Sequence, residues 1–450
     1  MKKRILKLLL AMACLLGSTS VSAYDFEVDG IYYDVVSLSE LTCKIAKGDI
    51  IYSGDFVIPT TVNYNNRDLT IVGFGTAFRY SGLTSITIPN TISSIEDEAF
   101  VGCSELKRVV IEDGETALEC GYSIREKRPS NISSYYFHGT FYDCPITSVY
   151  LGRNTSFKNH FTSGYDESYP PFCGINTIKE IVLSDSVTSI NTNEFYYCNS
   201  LSSISIPISI KSIGSSAFSG CSGLKKVIVK DIAAWCGISF INSASNPLRY
   251  AHHLYSDEET EITDLIIPNS VTKINNYAFQ GCSGLTSMTI GNSVTEIGKY
   301  AFQNCSGLTS VTIGNSVTKI GNYVFQGCSD LTNVTIGSSV TTIENNVFEN
   351  CDGLTTLYSL NPTPPSVGKN NFTNNQYMTL NVFVPQESLE TYQNDDSWKN
   401  FWNLQGFDVA GIGNVKTENG KTVYYDLRGN RLNAPKRGLN IIKGKKVMMK

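Results

Sequence analysis

The sequence predicts a mainly-β solenoid: coils of about 23 residues with short helical turns, a parallel sheet along one face, and a small β-rich C-terminal tail. Three observations carry this. Phe279, Phe302, Phe325 and Phe348 recur at one constant step, and Cys282, Cys305, Cys328 and Cys351 keep it, as do Ile274, Ile297, Ile320 and Ile343. Within one such unit Val311 and Ile313 alternate with Ser310 and Thr312, the period-2 signature of a strand with one buried face. Finally, a coil this short cannot bury Val317, Ile320, Val324, Phe325 and Cys328 by itself, whereas stacked copies can. So short a coil leaves no room for a full helix opposite the strand, and turns and short helical pieces are expected there.

Residues 1–23 read as a secretory leader: Lys2, Lys3, Arg4 and Lys7, then an apolar run, then Val21, Ser22 and Ala23. Two processing routes fit, cleavage before Tyr24 or lipid attachment at Cys14, and cleavage is the simpler. No other stretch approaches the ~20 apolar residues that span a bilayer as a helix. The expected location is therefore secreted, extracellular or on an outer-membrane surface. Composition agrees with a folded chain: of 450 residues 41% are hydrophobic and 17% charged, which excludes disorder by composition. The net charge of −5 and pI near 5.6 argue against a nucleic-acid partner.

Residues 24–49 are expected to cap the array, and residues 50–358 to form about ten or eleven coils. Looser copies precede the regular ones: Phe78 with Leu83, Phe100 with Cys103, Phe141 with Cys144, Phe195 with Cys198, and Phe218 with Cys221. The irregular stretches 113–137 and 152–171 break the period and are expected to form loops. An insert covers residues 231–264, a closing module residues 359–410, and a basic tail residues 411–450. From Asn414 onward ten Lys/Arg face two acids, a charge of +8. With +4 on the leader, residues 24–413 carry −17. The tail reads as strands VYYDL, GLNII and KVMMK, with turns at Arg428-Gly429-Asn430 and Lys443-Gly444.

The pattern I-G-x-x-A-F-x-x-C-x-x-L-x-x-V-x-I-x-x-S-V-T resembles the BspA-like (Treponema pallidum-type) leucine-rich repeats of bacterial surface proteins. The resemblance covers roughly residues 50 to 358, and the insert, the closing module and the opening YDFEVDGIYYDVV are similar to segments of the same proteins. It implies a leucine-rich-repeat solenoid that binds or adheres to a macromolecule; the sequence itself offers no Gly-rich phosphate loop, nucleophile elbow or HExxH, so no catalysis is expected. The tail resembles the C-terminal sorting domain of the type IX secretion route of Bacteroidetes, with a capping hairpin as the alternative.

Eight cysteines share one repeat position, which a small buried side chain would fill, and neighbouring strands at ~4.8 Å with parallel side-chain vectors make poor disulfides. A buried thiol ladder is expected, with one bridge among Cys43, Cys120, Cys173 and Cys236 left open. No CxxC pair occurs, and the adjacent His252 and His253 are expected to pack the insert rather than bind metal. No cofactor is implied. Acidic pairs such as Asp257-Glu258 and Asp395-Asp396 lie in polar, loop-like sequence. The candidate binding face is the outward, expectedly concave side of the sheet: Ser85, Thr87, Ser203, Ser205, Ser287, Thr289, Ser310, Thr312, Asn333 and Thr335, interrupted by Arg108, Tyr150, Glu180 and Lys226. Tyr135, Tyr136, Phe137, Tyr165 and Tyr169 are candidate aromatic anchors. The expected partner is a host or bacterial surface protein, with a glycan-binding or glycan-processing protein and a passive envelope spacer as the competing readings. A monomer is expected.

Overall fold

In the computed structural model the backbone is described for residues 24–127, 135–157, 160–162, 165–167, 170–407, 413–418, 421–426, 431–432, 438–442 and 445–449. The leader, Cys14, Tyr169 and the two tail turns lie outside the described residues. The chain forms two compact units. One holds the residues up to Ile146 with Thr155–Phe172, the other Thr147–Asn154 and the chain from Cys173 onward. The fold is a mainly-β solenoid of about 13 turns with roughly 23-residue coils and few helices. Turns beyond the ten or eleven counted on the sequence are rungs without the Phe–Cys signature.

The coil physics is clearest in the second unit. The long strands Asp264–Ile267, Ser287–Ile290, Ser310–Thr312, Asn333–Ile336, Thr356–Ser359, Asn381–Pro385 and Asn403–Phe407 form one parallel sheet. Between the regular coils the register advances by one repeat, pairing Ser287 with Ser310 and Ser310 with Asn333. Leu308, Val311, Ile313, Val317, Ile320, Phe325 and Cys328 are all buried, so identical apolar groups stack above one another. Phe279, Phe302, Phe325, Phe348 and Phe372 run as a column of near-parallel rings with centroids 5.1, 5.7, 5.9 and 5.7 Å apart. In the first unit Phe78, Phe100, Phe141 and Phe172 stack at 5.8, 4.8 and 5.3 Å.

Opposite the long strands the coils carry a second parallel sheet rather than helical pieces. Its strands are very short: Lys273–Ile274, Glu296–Ile297, Lys319–Ile320, Thr342–Ile343 and Ser366–Val367. Each isoleucine points inward, and the next residue donates its N–H to the isoleucine carbonyl one coil back, Gly298 to Ile274 at 2.8 Å and Glu344 to Ile320 at 3.0 Å. Threonine hydroxyls reinforce the stack, with Thr309 and Thr332 Oγ1 donating to the carbonyls of Thr286 and Thr309 at 2.9 and 3.0 Å.

Successive coils approach closely after the long strand where Gly291, Gly314 and Gly337 follow one another. A Cβ on Gly337 would sit 2.3 Å from the Gly314 carbonyl oxygen. Gly337→Ala is expected to lower unfolding free energy by ~2–3 kcal/mol, measured in urea, while Ser338→Ala next to it changes little.

The segments expected to be loops contain rungs and hairpins. Leu118–Cys120 pairs in parallel with Ser94–Ile95 and with Thr155–Phe157, because Leu118 and Cys120 supply the buried alternation despite the missing phenylalanine. Tyr122–Lys127 with Tyr135–Gly139, and His160–Thr162 with Tyr165–Glu167, form antiparallel hairpins, which carry Tyr135, Tyr136, Phe137 and Tyr165. The insert also completes a rung. Its Ser239–Phe240 pairs with Ser212–Ile213 and its Leu254–Tyr255 with Lys226–Val229, while Asp231 caps the helix Ile232–Cys236. Trp235 is buried there and donates Nε1–H to the Ala278 carbonyl at 2.8 Å.

The closing module extends the long sheet by two strands. Its buried Trp398 donates to the Pro365 carbonyl and its buried Tyr392 to that of Asn361, each at 2.8 Å. At the N-terminus Phe26–Val28, Ile31–Ser37 and Thr42–Ile45 pair antiparallel before joining Arg67–Phe74. The tail strands Gly413–Glu418, Lys421–Asp426, Arg431–Leu432, Gly438–Ile442 and Lys445–Met449 form one five-stranded sheet of their own, two strands more than the sequence suggested. No helix among the described residues is long and apolar enough to cross a membrane.

Candidate functional site

Cys103, Cys144, Cys198, Cys221, Cys282, Cys305, Cys328 and Cys351 are all buried, each as a thiol. Several donate to the phenylalanine carbonyl of the coil before: Cys221 to Phe195 at 3.1 Å, Cys305 to Phe279 at 3.2 Å, Cys328 to Phe302 at 3.3 Å and Cys351 to Phe325 at 3.1 Å. The position thus wants a small apolar group with a weak donor. Burial pushes the Cys221, Cys282 and Cys351 thiols up to about 12. Cys103 goes the other way, held down chiefly by its interaction with the Cys144 thiol, which is itself pushed up by the same contact. Cys43, Cys120, Cys173 and Cys236 are thiols as well.

All fourteen predicted face residues are exposed or half-buried on the long strands, but they do not form one unbroken row. In the first unit Ser85 pairs with Arg108, and Asp55 accepts from the Thr84 and Ser85 hydroxyls at 2.7 Å each. In the second unit Ser148 and Tyr150 lie beside Glu180 and the exposed Val182. Ser203 pairs with Lys226, whereas Ser205 lies beside the buried Ile228. Lys226 is committed: its Nζ donates to the Glu258 carbonyl at 2.7 Å and sits 4.9 Å from the Tyr255 ring centroid. The insert therefore interrupts the polar face.

Beyond the insert the face is continuous. Asp264, Ser287, Ser310, Asn333, Thr356, Asn381 and Asn403 make one row. Ile266, Thr289, Thr312, Thr335, Tyr358, Phe383 and Gln405 make the second. The second row changes character at its end. Tyr358 and Phe383 stack with centroids 4.8 Å apart, and Phe407 meets Tyr358 edge-on at 5.6 Å. These three half-buried aromatics are flanked by Asn381, Asn403 and Gln405. Sequence reading missed them, although Tyr358 falls one repeat step after Thr335 and two after Thr312, which was signal enough.

Two other columns run through the regular coils. Tyr277, Tyr300 and Tyr323, each with φ near 60°, stack outside the core at 5.1 and 4.8 Å. Gln280, Gln303, Gln326 and Glu349 form a hydrogen-bonded ladder on the turns between the sheets. Gln280 Nε2 donates to Gln303 Oε1, Gln303 Nε2 to Gln326 Oε1, and Gln326 Nε2 to Glu349 Oε2. A carboxylate only accepts, so Glu349 sets the direction of every amide behind it. Gln280, 3% exposed, is left with its Oε1 unpartnered.

The histidines pack the insert as expected. His252 Nδ1 donates to the Gly281 carbonyl at 2.9 Å, and His253 Nδ1 lies 2.6 Å from Glu261 Oε1. Among the described residues no group of three or more His, Cys, Asp or Glu is placed to hold a metal ion.

The chain matches the BspA type leucine-rich repeat region, in 6 copies, over residues 74–122, 130–245 and 253–379. No curated protein matches it. Among solved structures it is similar to a leucine-rich cell surface protein from Faecalibacterium prausnitzii A2-165, at 22% identity over 87% of this chain and 100% of that one, with a TM-score of 0.37. It is similar to a leucine-rich repeat protein from Bacteroides ovatus ATCC 8483 at 22% identity, 86% and 100% coverage and a TM-score of 0.37. The pneumococcal vaccine antigen PcpA matches at 16% identity, 86% and 98% coverage and a TM-score of 0.34. The repeat match spans well over half of the sequence, and the stacked coils carry the same signature: the chain belongs to the BspA-type leucine-rich repeat family.

Proposed function

We propose that this protein is a secreted or surface-held binding protein that recognises a macromolecule through the outward face of its long sheet, without catalysis. The observation that carries this reading is the registered polar face ending in Tyr358, Phe383 and Phe407. Rows of hydroxyls and amides provide many weak contacts, and clustered aromatics typically supply the anchors that dominate interface energy. The partner is a host or bacterial surface protein, with a glycan as the second reading because stacked rings beside amides suit both. The tail is proposed as a type IX sorting segment. Among the described residues its strands pair with one another, as those of a separable element would.

The test is capture of the mature protein on panels of extracellular-matrix proteins, bacterial surface proteins and glycans. A Tyr358→Ala/Phe383→Ala double variant is expected to weaken binding at least ~100-fold, since hot-spot truncations cost ~2 kcal/mol or more each. Ser310→Ala is expected to change affinity less than ~3-fold. Equal binding by the double variant would remove the sheet face from the account.

A further inference from the structure

Each regular coil turns through one left-handed residue whose backbone N–H donates to the next coil. Tyr277 bonds the Lys299 carbonyl at 3.1 Å, Tyr300 that of Asn322 at 3.0 Å and Tyr323 that of Asn345 at 3.1 Å. In other coils the same place is held by Asn193, Ser216, Asn346 and Asn370, with φ between 55° and 61°. Asparagine tolerates this conformation well, whereas a bulky side chain is uncommon there. The turn itself does not ask for tyrosine, so three tyrosines in succession point to a use of the rings.

The rings keep a register of their own. Tyr277 and Tyr300 stand 5.1 Å apart with planes inclined by 1°, and Tyr300 and Tyr323 stand 4.8 Å apart at 4°. All three are half-buried, so a small oxidant reaches them. Burial, then the neighbouring Tyr323 and Tyr277 phenols, push the Tyr300 hydroxyl above its ordinary 10.0, which shows that the phenol groups lie within electrostatic reach of one another.

We propose that this column is an oxidative cross-linking site, at which Tyr300 is joined covalently to Tyr277 or Tyr323 by hydrogen peroxide acting through a haem peroxidase. Each of two phenols gives up one electron and its hydroxyl proton, and the peroxide takes up both pairs and becomes two waters. The two phenoxyl radicals form one C–C bond between ring carbons ortho to oxygen. The hydrogen on each of those carbons then moves to its phenol oxygen as a proton, which restores both aromatic rings. The chain loses two hydrogen atoms in all. Neighbours held in register meet at an effective concentration far above that of a second chain in dilute solution. Coupling needs the rings to tilt from stacked towards side by side, a motion open to half-buried rings outside the core. The product ties consecutive coils by a bond that thiol reductants do not open. None of these residues lies on the outward sheet face, so the site stands or falls independently of the binding face.

The experiment treats the full-length protein, at low concentration, with a haem peroxidase and hydrogen peroxide. A parallel sample receives photo-excited tris(bipyridyl)ruthenium and persulfate, which needs no enzyme to dock on the column. Dityrosine fluorescence reports coupling, and a denaturing gel separates links within one chain from links between chains. Trypsin cuts after Lys299 and Lys319 place the three tyrosines on different peptides, so mass spectrometry identifies each link. The expected product is a single chain lighter by two hydrogen atoms, with the Tyr300 peptide joined to that of Tyr277 or Tyr323. Tyr300→Phe is expected to lower links among these three peptides ~10-fold or more, because Tyr277 and Tyr323 are two coils apart. Tyr277→Phe leaves the Tyr300–Tyr323 pair and is expected to lower them only ~2-fold. Phenylalanine keeps the ring stack, and thermal melting checks each variant; if Tyr300→Phe does not fold, the map of links in the unaltered protein decides. Absence of any link to Tyr300 within one chain overturns the proposal, whether coupling then falls between chains, on Tyr24 and Tyr32, which also meet at 4.2 Å, or nowhere. An unchanged yield among the three peptides in Tyr300→Phe overturns it as well.

Discussion

Replacing Phe302 by alanine is expected to lower the unfolding free energy by ~3–5 kcal/mol, the usual cost of emptying a buried aromatic site. Phe302 is fully buried between Phe279 and Phe325, at 5.1 and 5.7 Å, and its backbone N–H donates to Val324 at 3.0 Å. Its neighbours cannot collapse into the gap, because their positions are set by the strand pairing of every adjacent coil. Stability in such a stack is a sum of nearest-neighbour interfaces, so the loss weakens two interfaces at once. Tyr300→Ala is the matched control: it stacks between Tyr277 and Tyr323 but lies outside the core, and should cost under ~1.5 kcal/mol. Urea unfolding followed by circular dichroism measures both. Equal losses would mean that the inner column is not the main source of cohesion.

Stability should also fall steeply as pH rises above about 9. In the native state burial holds the Cys221, Cys236, Cys282 and Cys351 thiols protonated up to about 12, and Cys198, Cys305 and Cys328 are likewise pushed well above the ordinary 9.0. The unfolded chain releases these protons near 9. Between 9 and 12 the unfolded state therefore binds fewer protons than the native state, and each thiol removes ~1.4 kcal/mol of stability per pH unit. Four thiols together give about 5–6 kcal/mol per unit, with full stability retained below 9. Melting temperature under reducing conditions, measured from pH 7.5 to 10.5, reads this directly. A Cys282→Ala/Cys351→Ala variant should flatten the slope, which separates the thiols from buried tyrosines such as Tyr392 that titrate in the same direction. A melting temperature unchanged up to pH 10.5 would contradict the buried-thiol account.

The outward face was partly legible beforehand. Ser287, Thr289, Ser310, Thr312, Asn333 and Thr335 could be placed because a period of two leaves no choice of side once Val311 and Ile313 are inside. The limits of that face were not legible. Lys226 falls at an outward position, yet the insert brings Tyr255 and Glu258 against it, a contact that pattern cannot show. The 113–137 and 152–171 stretches failed for the opposite reason. Leu118 and Cys120 keep a buried alternation within a single short strand, too little to recognise until the neighbouring rungs were in place.

By itself the sequence determined the period, the inward set and the role of each repeat position. A residue recurring at every repeat step must meet its own copy in the next coil, and only compact apolar groups can stack that way in the core. Tertiary structure alone decided what arises between unlike rungs. The sheet of short strands depends on backbone pairing that one recurring isoleucine per strand does not reveal, and the Tyr358–Phe383–Phe407 cluster depends on the closing module adding strands in register. The amide ladder along Gln280, Gln303 and Gln326 depends on the coils meeting in register, and its direction is set by the Glu349 carboxylate at its far end.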